Sequence, residues 1–303
     1  MKRADIKVGF ACNNHCNFCV QGDKRLRYKP RTKDEIMKIL SEEYENGCEW
    51  VVFTGGEPTV HPDLLECVEY AKAIGYLEIQ IQSNGRNFSD LAYLQRLIDV
   101  GVTEFSPSIH GFYPETHDTL VGSIWAWRQV IEGIRNLKKL NQRIIINSVI
   151  TEQNFRETPA LATLLVKLGV FQYQFAFVHI LGSADKNKEQ VVPRKSEIMP
   201  YIRKALDIGR NSWVICMTEA IPFCLMQGYE WAIAEYNFMP ETTVVDAEYR
   251  TDNYEEYRWT EGKAKREECK SCIRYEVCEG PWKEYPAMYG WEEFIPIATS
   301  GKS

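Results

Sequence analysis

Three cysteines fall within eight residues near the start of the chain, Cys12, Cys16 and Cys19 in the run ACNNHCNFCVQG. Thiolates brought together by such short loops bind metal. A cubane iron-sulfur cluster used for electron transfer takes four cysteines, so a three-cysteine loop leaves one iron free for another ligand. Zinc is the competing reading, because closely spaced cysteines also hold zinc. Zinc sites usually pair two C-x2-C knuckles, however, and the matching knuckle, Cys269-x2-Cys272, stands near the other end of the chain.

A second motif follows the hydrophobic run CEWVVF: Thr54-Gly55-Gly56-Glu57-Pro58. It reads as a buried strand that ends in a glycine turn. Adjacent glycines let backbone approach a ligand where a Cβ would block it, and Pro58 stops the strand. Standing alone it is an ordinary strand-end turn, but it comes one strand-helix unit after the cysteine loop. Together, C-x3-C-x2-C with Phe18 before its last cysteine and the GGEP turn resemble the radical S-adenosylmethionine (SAM) superfamily. The resemblance implies that Cys12, Cys16 and Cys19 hold a [4Fe-4S] cluster whose open iron is chelated by SAM. It implies that Phe18, Gly55, Gly56, Glu57 and Pro58 belong to the SAM site, with the SAM amino group on the glycine carbonyls and the glutamate. The implied chemistry is reductive cleavage of SAM to a 5′-deoxyadenosyl radical that abstracts hydrogen from substrate, in an oxygen-labile site.

Periodicity supplies the frame that must position these groups. Strand patterns at 6–11, 50–54, 77–83, 102–109, 143–150 and 170–178 alternate with helical patterns at 33–46, 62–74, 89–99, 124–140, 157–168 and 196–209. Thr32 followed by Asp34 and Glu35 is a helix start, and Gly47, Gly75, Gly101 and Gly169 mark helix ends. Six alternating units imply parallel strands with right-handed crossovers, an α/β partial (β/α)6 barrel, which is also the core fold of the resembled family.

Catalytic groups of β/α barrels gather at the C-terminal ends of the strands. The third strand ends in Ser83-Asn84-Gly85, and the fourth in Ser106-Pro107-Ser108-Ile109-His110. By resemblance Ser83, Asn84, Ser108 and Asn147 reach SAM, and Gly182 accepts the adenine. His110 stands where many relatives carry an aspartate, which leaves its role open between substrate contact, proton relay and packing. His179, after the sixth strand, is the other catalytic candidate, although a histidine ending an aromatic strand is more often a satisfied core residue. His117-Asp118 reads as a turn cap near the fourth-strand loop.

The last third, from about Asn211, changes composition and carries Cys269-x2-Cys272-x5-Cys278. Short loops suit these thiols to one metal centre, and a fourth ligand must come from elsewhere: Cys224, with Cys216 in reserve. The pattern resembles part of the auxiliary-cluster region of SPASM/twitch radical SAM enzymes, where another cysteine follows; here that position is Trp282. The departure argues for one auxiliary [4Fe-4S] cluster rather than two, on Cys224, Cys269, Cys272 and Cys278. A four-cysteine zinc knuckle is the alternative. Cys48 and Cys67 read as small core residues. The expected organisation is a barrel over 1–210 and an auxiliary-cluster region over 211–303.

At 303 residues and 45% hydrophobic the chain buries a large core. It shows no apolar stretch long enough for a membrane span and no signal-peptide layout, so a cytoplasmic protein is expected. Ten cysteines then argue for metal ligation over a disulfide framework. A net charge of −6 speaks against a nucleic-acid partner. Segment 21–33 holds six basic residues and one acid, and 228–261 nine acids and two basics; both read first as solvated surface, and the basic run alternatively as steering an anionic ligand. The resemblance implies an external electron donor such as flavodoxin or ferredoxin. The expected substrate is a peptide or small polar metabolite, with the short stretch before Cys12 leaving no room for a peptide-recognition domain and the C-terminal end lacking a glycine-glycine tail. The alternative function is an iron-sulfur electron carrier or zinc-binding scaffold without SAM chemistry.

Overall fold

A computed structural model describes residues 2–237 and 239–298. Six strands lie side by side in chain order and parallel: β1 (Lys2–Lys7), β2 (Cys48–Thr54), β3 (Glu78–Ser83), β4 (Glu104–Pro107), β5 (Arg143–Ile150) and β6 (Gln172–Phe177). Crossovers run through helices Lys33–Glu45, Leu64–Ile74, Leu91–Val100, Ala126–Lys139 and Thr158–Leu168, and Lys195–Asn211 follows β6. All six expected units are present. The order of strands is linear, so the barrel is partial.

Local chemistry explains the boundaries. Thr32 and Glu35 form a reciprocal capping box, with Glu35 Oε2 accepting from Thr32 N–H at 2.7 Å and Thr32 Oγ1 accepting from Glu35 N–H at 3.3 Å. Gly75 ends the second of the long helices at φ 111°, a left-handed turn that favours glycine.

The strands alternate by face. Ile79 and Ile81 of β3, and Tyr173, Phe175 and Phe177 of β6, are buried in the hydrophobic core. The intervening Gln80, Gln82, Gln172 and Gln174 are only partly buried. On β1 the partly buried set is Arg3, Asp5 and Lys7, and Arg3 lies in the field of Asp5, Glu104, Glu219 and Glu78 from several strands. The barrel interior is therefore polar.

Two features depart from expectation. First, β1 was expected over 6–11 but ends at Lys7, because the apolar run continues into a stretch whose backbone serves the GGEP turn instead of the sheet. Second, residues beyond 210 extend the same sheet. β7 (Ile215–Glu219) pairs parallel with β6, β8 (Glu241–Val245) parallel with β1, and β9 (Arg250–Thr251) antiparallel with β8.

The two charge runs meet one another. Lys24 Nζ lies 2.8 Å from Asp246 Oδ1 and 3.2 Å from Glu248 Oε2, and Arg27 Nη1 lies 2.7 Å from Glu248 Oε1. Arg31 Nη2 donates to Asp246 O at 2.8 Å. Two of the six basic residues after the cluster loop, Lys24 and Arg27, are thus paired with the acidic run. Among the described residues no helix is long and apolar enough to cross a membrane.

Candidate active site

The cysteine loop leaves β1 and is held on several sides. His15 N–H donates to Val121 O at 2.8 Å and Asn17 N–H to Leu120 O at 3.1 Å, tying it to the end of helix Pro114–Val121. Arg86 Nη1 donates to Asn14 Oδ1 at 2.9 Å and also to Asn13 O. Arg25 Nη1 reaches Asn14 O at 3.1 Å, Ser123 Oγ reaches Asn13 O at 3.1 Å, and Asn187 Nδ2 reaches Asn17 O at 2.8 Å. Sequence reasoning missed this girdle. Arg86 had a visible signal, an arginine directly after the Asn84-Gly85 turn; Ser123 and Asn187 had none, since only the fold brings them near.

The GGEP turn is bonded to the same loop. Gly56 N–H donates to Gly9 O and Glu57 N–H to Ala11 O, each at 2.8 Å. A Cβ on Gly55 would stand 2.1 Å from Gly9 O, and one on Gly56 2.4 Å from the carbonyl oxygens of Phe10 and Ala11. The glycines are required for this backbone-to-backbone contact, whereas Gly55 O and Gly56 O accept none of the described backbone hydrogen bonds. Pro58 opens a single 3-10 turn capped by Glu57.

Glu57 is 2% exposed. Its Oε1 accepts from Thr59 N–H at 3.0 Å, Thr59 Oγ1 at 2.5 Å and Ser83 Oγ at 2.7 Å, and its Oε2 from Asn84 N–H at 2.6 Å. Burial raises its pKa against the lowering effect of those donors. Oε2 has a single described donor, and a carboxylate oxygen accepts two. Asn84 Nδ2 bonds Asn13 Oδ1 at 2.5 Å and lies 3.9 Å from Cys12 Sγ, so the end of β3 touches both motifs.

Ser108 and Asn147 are neighbours across a single parallel bridge between β4 and β5. Asn147 Oδ1 is buried with no hydrogen-bond partner, an acceptor held open beside the mouth. Gly182 packs against the cysteine loop. A Cβ there would stand 2.5 Å from Val20 O and 2.7 Å from Cys19 O, and Ser183 N–H donates to Cys19 O at 2.8 Å. Glycine is required here because the backbone of the cysteine loop packs directly against it.

His110 is 6% exposed, its ring edge-on to Phe18 with centroids 4.8 Å apart. Nδ1 accepts from Val149 N–H at 3.1 Å, while His110 N–H donates to His117 Nδ1 at 3.0 Å. Burial lowers both imidazoles to about 3; the neighbouring His117 adds to this for His110, and Arg86 for His117. His110 thus packs against Phe18 and also stacks on His117, with ring centroids 5.8 Å apart. His117 is therefore more than a turn cap, while Asp118 does cap the following turn through Trp125 N–H and Trp127 N–H. His179 stacks on Trp282 and sits 3.7 Å from Glu284.

Four cysteines remote in sequence, Cys224, Cys269, Cys272 and Cys278, line one cavity together with Phe223, Tyr275 and Phe294. Burial pushes the Cys224 thiol up to about 12, and charge on Cys278, Cys269 and Cys272 acts in the same direction. Cys216, the reserve ligand, is elsewhere: it is 3% exposed, with Sγ 3.4 Å from Leu206 O. Cys48 and Cys67 are fully buried in the core.

Both sets of thiols are grouped closely enough to influence one another's charge. At the first, burial raises Cys12 and Cys16 and the neighbouring Cys19 adds to the rise; three thiolates gathered there need a bound cation to be stable. Among the described residues no group of three or more His, Cys, Asp or Glu side chains is gathered closely enough to hold a metal ion. The open Asn147 oxygen, the Gly55 and Gly56 carbonyls and the spare capacity of Glu57 fit a polar ligand such as SAM.

Comparison with known proteins agrees. Residues 6–165 match the family model described as the Radical SAM superfamily. Probable GTP 3′,8-cyclases are similar: that of Saccharolobus islandicus (strain M.14.25 / Kamchatka #1) is 30% identical over 179 residues, 58% of this chain and 57% of its own length. The corresponding protein of Sulfurisphaera tokodaii is 28% identical over 178 residues, 58% and 56%. The match thus spans little more than half of these relatives. In fold the chain resembles Streptococcus suis SuiB, with TM-score 0.68 at 15% identity over 98% of this chain and 76% of that one. It also resembles native anSMEcpe with bound AdoMet, at 0.66 and 15% over 93% and 89%. With the matched region covering β2 to β5, the cysteine loop and the GGEP turn, this chain belongs to the radical SAM superfamily.

Proposed function

We propose that this protein is a radical SAM enzyme that acts on a peptide or small polar metabolite, with an auxiliary [4Fe-4S] cluster handling electrons. The observation that carries the reading is the direct bonding of the two motif loops, Gly56 to Gly9 and Glu57 to Ala11, with Asn84 against Cys12. Cys12, Cys16 and Cys19 would hold the first cluster. Cys224, Cys269, Cys272 and Cys278 would hold the second.

When bound, the first cluster supplies the electron that cleaves SAM to a 5′-deoxyadenosyl radical. The chain's own residues do the positioning. Gly55 and Gly56 present carbonyls to the SAM amino group, and Glu57, fixed by Thr59, Ser83 and Asn84, offers the remaining acceptor on Oε2. Ser108 and Asn147 supply polar contacts from β4 and β5. Phe18, backed by His110, limits water at the cluster. A reduced external carrier, flavodoxin or ferredoxin, delivers the electron.

The relatives suggest two substrate classes. GTP belongs to the cyclases by name, and SuiB is known bound to its precursor peptide SuiA. The cyclase similarity reaches 58% of this chain, which supports the shared barrel chemistry and leaves substrate recognition to residues of the last third. Anaerobic reconstitution followed by dithionite and SAM tests the proposal. Release of 5′-deoxyadenosine is expected, and its absence in both the presence and the absence of candidate substrates would sink the reading in favour of an electron carrier.

A further inference from the structure

A second cavity, of about 260 Å³, adjoins the four-cysteine cavity and shares Cys278 with it. Its wall is aromatic, with Phe223, Tyr236 and Trp259. Its floor is Glu235, Lys263 and Glu279, whose side chains are 7%, 2% and 6% exposed. Two more carboxylates, Glu255 and Glu276, line it from exposed positions.

The floor is built and nearly neutral. Lys263 Nζ donates to Glu235 Oε1 at 2.8 Å and to Glu279 Oε2 at 2.7 Å, and Arg258 grips Glu279 through Nε and Nη2, at 2.9 Å for Nη2. Ala220 N–H also donates to Glu235 Oε1, at 2.6 Å. Every described donor to Glu235 falls on Oε1. Its Oε2 is buried with no partner, although a lone buried carboxylate oxygen is costly to leave unsatisfied.

With two cations against two carboxylates in the floor, Glu255 and Glu276 add two negative charges to the lining; Lys265 and Arg274 already lie 4.6 Å and 5.7 Å from the Trp259 and Phe223 rings, which leaves the Tyr236 face to a ligand. Negative walls of low dielectric draw in cations, and tryptophan and tyrosine faces bind ammonium and guanidinium groups. We propose that this cavity is a subsite for a cationic group on a short chain, an amine or guanidinium, seated between the aromatic wall and Glu235 and held beside the second set of cysteines. This rests on the enzyme reading above and narrows its substrate to a cation-bearing molecule. A lysine or arginine side chain of a peptide and a free polyamine-like metabolite share that chemistry.

Anaerobically reconstituted protein, titrated calorimetrically with agmatine, with a blocked lysine dipeptide and with its glutamate counterpart, tests the assignment. Saturable binding of at least one cationic probe, with a change in tryptophan fluorescence, is expected. A peptide source is indicated if the dipeptide binds more tightly, and a free metabolite if agmatine does. Glu255→Gln with Glu276→Gln, both at exposed positions, should together weaken binding about tenfold. Glu235→Gln should weaken it further. The proposal is overturned if neither cation binds, if the glutamate dipeptide binds equally, or if the double variant binds as wild type does. Iron content and 5′-deoxyadenosine release on the same preparation separate the two readings, since cation binding without SAM cleavage would sink the enzyme and keep the cavity, and the reverse would sink the cavity alone.

Discussion

The rings of His179 and Trp282 lie 3.8 Å apart at the centroid and 9° from parallel. Trp282 stands where the resembled auxiliary-cluster regions carry a further cysteine, and here it joins the segment after Cys278 to the end of β6. It is 3% exposed and Lys263 Nζ lies 5.0 Å from its ring. Trp282→Ala should therefore destabilise the fold by about 3–5 kcal/mol, the usual cost of emptying a buried aromatic site. Denaturant unfolding reads this directly, and a loss below about 1 kcal/mol would show that the site collapses freely.

Arg86 donates to both Asn13 O and Asn14 Oδ1 while its Nε bonds Gln129 Oε1 at 2.6 Å. Arg86→Ala should lower iron retention at the three-thiol site and slow SAM cleavage. Arg86→Lys should recover little, because an ammonium lacks the guanidinium's planar fork. Iron analysis and cluster absorbance after desalting check both. Full retention in the alanine variant would mean that the other ties suffice.

The cavity lined by the four late cysteines separates Cys224 from Cys216. Cys224→Ser, Cys269→Ser and Cys272→Ser should each diminish iron by up to about four atoms per chain, the content of one cubane. Cys216→Ser should leave iron unchanged, since that thiol sits beside Leu206 in the core. Cys12→Ala, Cys16→Ala or Cys19→Ala should abolish SAM cleavage while sparing the second set.

His110 and His117 carry pKa values near 3 in the fold against an ordinary 6.5. Between those limits the unfolded chain binds more protons than the folded one, so stability rises with pH across this window and is lost as pH falls from about 6.5 toward 3. Glu104 and Glu219, raised to about 7 by burial, titrate in the same window with the opposite sign, so the histidine slope is read as the difference between wild-type and variant guanidinium midpoints from pH 4 to 7. His110→Asn, which keeps an acceptor for Val149 N–H, should flatten it; an unchanged slope would place the dependence on other groups.

Much of the frame was legible in the sequence because helix and strand periods are local. The helix starting at Lys33 announces itself through Thr32 and Glu35, and the strands through alternation such as Glu78–Ser83. The ends of β1 and the arrival of β7 and β8 were not, because ICMTE and ETTVV are short runs whose pairing depends on distant partners. At the site, Cys224 could be chosen by motif and counting, and it does share a cavity with Cys269, Cys272 and Cys278. The contact of Gly182 with the backbone of Cys19 and Val20 was not legible, because a glycine reports only that something lies close. Likewise the basic run after Cys19 carried no sign of its acidic partners at Asp246 and Glu248, over two hundred residues on.

The strand order β7-β6-β5-β4-β3-β2-β1-β8-β9 has a consequence for any attempt to divide the chain. The last third covers both flanks of the sheet, β7 lying along β6 and β8 along β1. Cutting near residue 210 would therefore bare two rows of unpaired amides and carbonyls at once, each a template for joining another molecule. A barrel shortened in this way is expected to aggregate instead of surviving as a smaller soluble enzyme.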